Sequence, residues 1–538
     1  MTRPPVELDG ELLTPEEVAA VARDGAEIEI APGARERVRE SRERVEDVVE
    51  SGEPVYGLNT GFGELVDQRI PPEKIERLQT NLVRSHAAGA GRELTVEEVR
   101  AMMVTRINAL VKGYSGVRET VVDHLLTLCN EGVHPVVKSR GSLGASGDLA
   151  PLAHMSLVLL GEGEAIVDEP TGSEPGTSHR VSGEEALRAA GLEPLSLAPK
   201  EGLALINGTQ LTVGLASLVV VDAERLLEAA DVAGAFTTEV TLGTTASSDP
   251  AIHEVRPHAG QLESAARIRE LTADSEVVEA HRNCDRVQDA YSLRCLPQVH
   301  GAVRDAVAHL REAVEIELNS ATDNPLVFDA GRVDDRASGT DRAAVLSGGN
   351  FHGIPLALRL EYVRLALADL AAVSERRTDR LLNPNLQEPH LPPFLAPESG
   401  LRSGYMIAQY TAAALLNEIR SLGPASIDNT PVSGGQEDHV SMSAQSATNV
   451  RRALENATTV VAAELVCAAQ AAEFVDDAFD AETPLAFGAG TGAAYDLIRE
   501  VVPPLEEDRP VHVDVEQAVA LIERGLLEEA VAAGLSER

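Results

Sequence analysis

The chain has 538 residues, of which 43% are hydrophobic and 25% charged, a composition that belongs to a folding chain and excludes an acidic disordered one. Its charges divide into 86 acidic and 46 basic residues, leaving a formal net charge of −40, which argues against nucleic acid or an anionic membrane as partner.

Thr14-Pro15-Glu16-Glu17 places a capping Thr, a Pro at the first helical position and a Glu three residues after the cap, so a helix is predicted to start here and stop before Gly25. Residues 26–30 alternate like a short strand, and 34–50 return to a charged helix with Val38, Val45 and Val49 on one face. Residues 161–185, rich in Gly, Ser, Pro and acid, read as an exposed loop or hairpin. Long helices are predicted over 210–239, 304–319, 356–380, 403–422 and 441–478, broken by Gly-rich turns and a proline-rich loop at 384–397. Helices of this length pack along one another as a bundle. The fold class is therefore mainly α: a long antiparallel helical bundle beside a smaller mixed α/β N-terminal domain. The expected division is 1–204, carrying the loop described below, and 205–538.

Lysine occurs only at Lys74, Lys112, Lys138 and Lys200, so nearly every cation is arginine and the surface is dominated by Asp and Glu. At molar salt the Debye length falls to about 3 Å, which screens the repulsion of such a surface. A halophilic cytoplasm is the expected setting. Cys129, Cys284, Cys295 and Cys467 are too few and too scattered for a disulfide framework. They form no Cys-x-x-Cys pair, and His-Glu-x-x-His is absent, so no metal is expected. The N-terminus has no apolar leader, and apolar stretches such as 211–221 are far shorter than the roughly 20 residues of a membrane span. The expectation is a soluble, cytoplasmic protein with no nucleic-acid and no membrane partner.

The segment Gly141-Ser142-Leu143-Gly144-Ala145-Ser146-Gly147-Asp148-Leu149-Ala150-Pro151 admits two readings. One is a glycine-rich turn opening a helix, capped by Ser146 or Asp148, with Pro151 in the first turn. In the other, Ala145-Ser146-Gly147 cyclises: the amide nitrogen of Gly147 attacks the carbonyl of Ala145, and loss of water and then of the Ser146 hydroxyl leaves a methylidene-imidazolone. Small residues suit that closure, since nitrogen and carbonyl must meet without a Cβ at the attacking residue. The tripeptide alone is weak support, because Ala337-Ser338-Gly339 repeats it in what reads as a solvated loop.

Residues 141–154 resemble the prosthetic-group loop of the aromatic amino acid ammonia-lyases, and most of all the histidine branch. Seven further blocks follow in the family's order, among them Tyr56-Gly57-Leu58-Asn59-Thr60-Gly61, Ser85-His86-Ala87-Ala88-Gly89, Leu205-Ile206-Asn207-Gly208-Thr209, Gln288-Asp289-Ala290-Tyr291-Ser292-Leu293-Arg294, Asn350-Phe351-His352 and Gln436-Glu437-Asp438-His439. The resemblance implies an enzyme that eliminates ammonia from L-histidine to give trans-urocanate, using the self-made electrophile of Ala145, Ser146 and Gly147 and no added cofactor. By the same resemblance Tyr56 is the base and Tyr291 a second catalytic tyrosine. Arg294 grips the substrate carboxylate, Asn207 and Gln288 are polar groups around electrophile and substrate, and Phe351 is an aromatic wall. His86 and Glu437 set substrate choice, since a buried carboxylate favours a ring with an N–H to offer over a phenyl. The resemblance also implies a homotetramer whose active sites each draw on three subunits. Gly435 and Arg420 depart from the histidine branch, which often has Asn and Lys there. A phenylalanine or tyrosine ammonia-lyase or aminomutase, and a helical scaffold without chemistry, are the alternatives.

Overall fold

The computed structural model describes residues 4–52, 55, 58, 70–168, 178–282, 286–334, 338–427, 429–479 and 483–536. The protein is mainly α, with short strands in small sheets. It divides into two compact units, each built from three stretches of chain.

The first unit takes Met1–Val221, Leu310–Glu361 and Pro424–Thr448. Its opening helix, Pro15–Arg23, has the expected capping box, with Thr14 and Glu17 each satisfying the other's backbone N–H. The expected strand is Ile28–Ile30, paired in parallel with Val6–Leu8, and the charged helix is Pro32–Ser51, closed by Gly52 at φ 72°. The helix Val96–Val111 is buried on all sides from Glu98 onward, so charged groups on it must find internal partners. Arg100 does so by donating to the carbonyls of Val21 and Cys129. The acidic stretch after 161 is a hairpin of Glu164–Asp168 and Ser178–Ser182, joined on its other side to Val133–Pro135. Residues 169–177, between the two strands in sequence, lie outside the described residues. A second three-stranded sheet orders Leu326–Asp329, Ala343–Leu346 and Ser338–Gly339. Ser338, of the repeated tripeptide, is thus an exposed residue on an edge strand rather than in a loop, while Ala337 lies outside the described residues.

The second unit takes Asp222–His309, Tyr362–Gly423 and Asn449–Arg538. The long helices of the chain are Gln210–Val240, Leu296–Leu318, Ile354–Leu382, Met406–Ser421 and Ser443–Ala472. The fourth starts later than the sequence suggested, and the fifth ends earlier, with a separate 3₁₀ turn at Val475–Ala478. The second starts earlier, because Pro297 near its N-terminus needs no intrahelical N–H partner. Within this unit the helices are tied by buried polar groups. The fully buried pair Arg377–Glu464 takes further hydrogen bonds from Thr237 Oγ1 at 2.8 Å and Ser374 Oγ at 2.7 Å. Asp231 holds His300 and Arg304, each at 2.7 Å. Removing one member of such a set leaves an uncompensated buried charge, at about 3–5 kcal/mol.

Among the described residues, Cys129, Cys295 and Cys467 are free thiols, and Cys284 lies outside them. No helix among them is long and apolar enough to cross a membrane. They also contain no group of three or more His, Cys, Asp or Glu able to hold a metal ion.

Candidate active site

The glycine-rich segment opens the helix Leu149–Leu159, and Asp148 occupies its N-cap position. Its carboxylate does not cap that helix. Instead it turns inward: Oδ1 accepts from Ser142 Oγ at 2.7 Å and Thr212 Oγ1 at 3.1 Å, and Oδ2 accepts from the Thr212 N–H at 2.8 Å. Burial pushes the Asp148 carboxyl up, and these hydrogen bonds pull it back. Thr212 Oγ1 also meets Ser443 Oγ at 3.0 Å. The preceding residues are clamped as tightly. Gly144 O accepts from Gly353 N at 3.0 Å and Ser441 Oγ at 2.9 Å, and Leu143 O accepts from Met442 N at 2.8 Å.

A strap of backbone, 207–209, lies against the tripeptide. Asn207 Nδ2 donates to Ser146 O at 2.7 Å, and the Asp148 N–H donates to Gly208 O at 2.6 Å. Gly147 has φ +77°, and a Cβ built there would stand 2.1 Å from Gly208 O. Only glycine fits, because the position needs both a left-handed backbone and contact with a neighbouring main chain. Ala145 and Gly147 are buried and Ser146 is half-buried.

Charged groups hold the strap from behind. Arg106, fully buried, donates to Asn207 O at 3.0 Å and Gln210 Oε1 at 2.7 Å, and burial draws its guanidinium down to about 10. Thr209 Oγ1 donates to Glu317 Oε1 at 2.5 Å. Burial, with the nearby charge of Asp148, pushes the Glu317 carboxyl up to about 7 against the pull of that hydrogen bond. Lys200 and Asp323 form a buried ion pair at 3.0 Å close to Arg106, and burial lowers the Lys200 ammonium. Sequence reasoning missed Arg106, Lys200 and Glu317, and marked Asp323 only as part of the family block Thr322-Asp323-Asn324-Pro325, without a role. For Lys200 a signal existed: it is one of four lysines in a chain that otherwise uses arginine. For the others only the folded neighbourhood reveals the role.

The blocks expected to shape the substrate pocket reach the same loop. Ser85-His86-Ala87-Ala88-Gly89 ends the helix Ile75–His86, and the Gly89 N–H donates to His154 Nε2 at 3.0 Å. His86 Nδ1 lies 2.8 Å from Leu82 O, so Nδ1 carries a hydrogen and donates it there. Phe351 and Glu437, both half-buried, sit on segments tied to Gly144 and Leu143 through Gly353, Ser441 and Met442.

Gln288, Tyr291 and Arg294 fall in the second unit. Tyr291 opens a single helical turn, Tyr291–Arg294, and is 74% exposed in the isolated chain. Arg294 Nη1 donates to Gln288 Oε1 at 2.7 Å, so these two come together. The segment is anchored by Asp289, which accepts from Thr244 N at 2.8 Å and from Arg286 Nη1 at 3.0 Å. Tyr56 lies outside the described residues.

Residues 13–500 match the aromatic amino acid lyase family. Over 535 residues, covering 99% of both chains, the sequence is 64% identical to a protein of Halobacterium salinarum named probable histidine ammonia-lyase. Among solved structures, the histidine ammonia-lyase of Trypanosoma cruzi is 39% identical with a TM-score of 0.87, covering 99% of this chain and 96% of that one. The tyrosine aminomutase of Streptomyces globisporus is equally near, at 38% identity and a TM-score of 0.89 with 99% of each chain covered. The backbone is thus shared by enzymes of different substrates, and what separates them must lie in side chains. With its loop, strap and long helices, this chain belongs to the aromatic amino acid lyase family.

Proposed function

We propose that this chain is a cytoplasmic carbon–nitrogen lyase that eliminates ammonia from L-histidine to give trans-urocanate. The observation that carries the reading is the hydrogen bond from Asn207 Nδ2 to Ser146 O, within a tripeptide whose third residue has no space for a Cβ. Its 64% identity, over 99% of both chains, to a protein named probable histidine ammonia-lyase supports the choice of substrate.

The residues present fit a methylidene-imidazolone. Asn207 would hold it at the Ser146 carbonyl, Gly208 would press on Gly147, and Asn207 Oδ1 is a buried acceptor with no partner among the described residues. That ring supplies an electrophile made from backbone, with no added cofactor. Around it, Asn207 and the Asp148 N–H fix the orientation of the loop, so little reorganisation is needed when substrate binds. Arg294 offers two N–H groups to the substrate carboxylate, and Gln288, already bonded to Arg294, holds that fork in place. Tyr56 and Tyr291 are the candidates to take and return protons; a base for the barely acidic β-proton must lie far below the usual tyrosine pKa of about 10 or act as tyrosinate. At the other end of the substrate, His86, held through Nδ1, presents Nε2 and Glu437 a carboxylate to the two imidazole nitrogens. A phenyl ring would leave that carboxylate without a donor.

Tyr291 is exposed in the isolated chain, as are Tyr362, Leu365, Ile407 and Tyr410 on the long helices. Exposed apolar side chains of this kind mark surfaces that associate. They support a homotetramer in which one chain supplies Tyr291 and Arg294 to another's electrophile loop.

The test is mass mapping of the peptide that holds Ser146, combined with turnover of L-histidine, L-phenylalanine and L-tyrosine side by side. A two-water deficit at Ser146 and not at Ser338, with histidine preferred, is expected; Ser146→Ala abolishes both the deficit and turnover. Unmodified Ser146, or preference for phenylalanine, overturns the reading.

A further inference from the structure

His352 and His439 have no part in the chemistry above, yet they join the two segments that carry Phe351 and Glu437. Their rings stack with centroids 5.7 Å apart and 5° between planes, inside the offset-stacked range. His352 Nε2 also lies 3.2 Å from His439 O, and the Ile354 N–H points at His352 Nδ1 at 3.4 Å. A carbonyl can only accept and an amide N–H only donate, so both contacts are met by the tautomer with hydrogen on Nε2.

The place of this contact gives it meaning. Both segments start from one fixed point: Gly353 N and Ser441 Oγ bind Gly144 O, and Met442 N binds Leu143 O. From there one arm leads back to Phe351 and the other back to Glu437, and the histidine pair closes the triangle between them. The Glu437 arm leaves the turn 433–435, where Ser433, Gly434 and Gly435 all have left-handed φ, pairs with Val432 through Glu437, and is held by Asn429, whose Nδ2 donates to Asp438 O and whose Oδ1 accepts from the Val440 N–H at 3.0 Å. The histidine contact ties this arm to the Phe351 segment. His352 is half-buried and His439 exposed, so the pair is no part of a packed core and adds little to global stability.

We propose that His352 is a positioning residue that acts through His439 to set the spacing between Phe351 and Glu437, and so the fit of the imidazole end of the substrate. This rests on the function proposed above. His352→Phe keeps a ring to stack but removes both hydrogen-bonding atoms, whereas His352→Gln keeps an N–H that can reach His439 O.

With the full-length enzyme, H352F is expected to raise KM for L-histidine about five- to tenfold, the scale of one lost hydrogen bond, with kcat within about twofold. The two-water deficit at Ser146 stays complete, and H352Q returns KM to within about twofold of wild type. Unchanged KM in H352F, or an equal rise in both variants, overturns the proposal. Hydrogen exchange of the peptide spanning 432–440 reads this tie without any turnover. Faster exchange in H352F and wild-type exchange in H352Q support it, and identical exchange in all three proteins overturns it, even if L-histidine proves to be the wrong substrate.

Discussion

Replacing Gly147 by alanine tests whether the strap presses on the tripeptide as tightly as the geometry requires. The new Cβ would stand 2.1, 2.4 and 2.6 Å from O, C and N of Gly208, all main-chain atoms that no rotamer change can move aside. The closest of these lies roughly 1.3 Å inside the 3.4 Å limit of ordinary contact. Holding alanine at φ +77° costs about 1–2 kcal/mol, and overpacking adds about 1–3 kcal/mol, so the total is about 2–5 kcal/mol. The strain falls on the Asp148 N–Gly208 O bond and on the Asn207 amide that holds Ser146 O. Gly25→Ala is the matched control: its φ is +66°, but no atom lies within 4 Å of the added Cβ, so only the backbone cost of about 1–2 kcal/mol applies. Urea unfolding of the two variants isolates the clash, and mass mapping at Ser146 reports ring closure. G147A should be the less stable by about 1–3 kcal/mol and should lose most or all of the two-water deficit. Equal stabilities together with a complete deficit in G147A would refute the close approach as the reason glycine is required.

Other consequences concern charge. Glu437→Gln replaces a charged acceptor by a neutral one, so kcat/KM for L-histidine should fall about tenfold or more while the ratio of phenylalanine to histidine turnover rises; an unchanged ratio in competition assays would remove Glu437 from substrate choice. Glu239, fully buried with Oε1 accepting from the Gly488 N–H at 2.9 Å, has its carboxyl pushed up to about 7 by burial. Its folded pKa exceeds the unfolded value of 4.5, so this group favours the fold at acid pH and that benefit is lost as pH rises from 4.5 to 7. Glu239→Gln should therefore flatten the stability profile over that window and stabilise the protein at pH 8, by up to the order of 3 kcal/mol, as read by urea midpoints across pH. With a net charge of −40, the wild-type melting temperature should fall steadily when salt is reduced from about 2 M to 0.1 M; a salt-independent value would remove the case for a salt-adapted surface.

Much of the architecture is legible in the residue order. The Thr14–Glu17 box sets the first helix, and the helix 210–239 ends within one residue of expectation, because capping and long apolar periodicity are local properties. Boundaries drift where termination has no local cause, as after Ala472. Asp148 shows the limit most clearly. Its position invites a capping role, but the structure turns its carboxylate to Thr212 and Ser142, a choice that depends on chain brought in from 64 residues away.

Composition and order alone determined a mainly helical protein with an acidic surface, and a small-residue tripeptide in a setting unlike that of its copy at Ser338. They also marked, through resemblance, the blocks that surround it. The tertiary structure decided how that tripeptide is held: Asn207 on the Ser146 carbonyl, Gly208 against Gly147, and buried Arg106 and Glu317 behind the strap. It also decided that Gln288, Tyr291 and Arg294 belong to a different compact unit from Ala145, Asn207 and Phe351. The physical reason is range. Propensity and periodicity act over one or two helical turns, whereas a buried charge or a glycine pressed on distant backbone is defined only by neighbours that folding brings together.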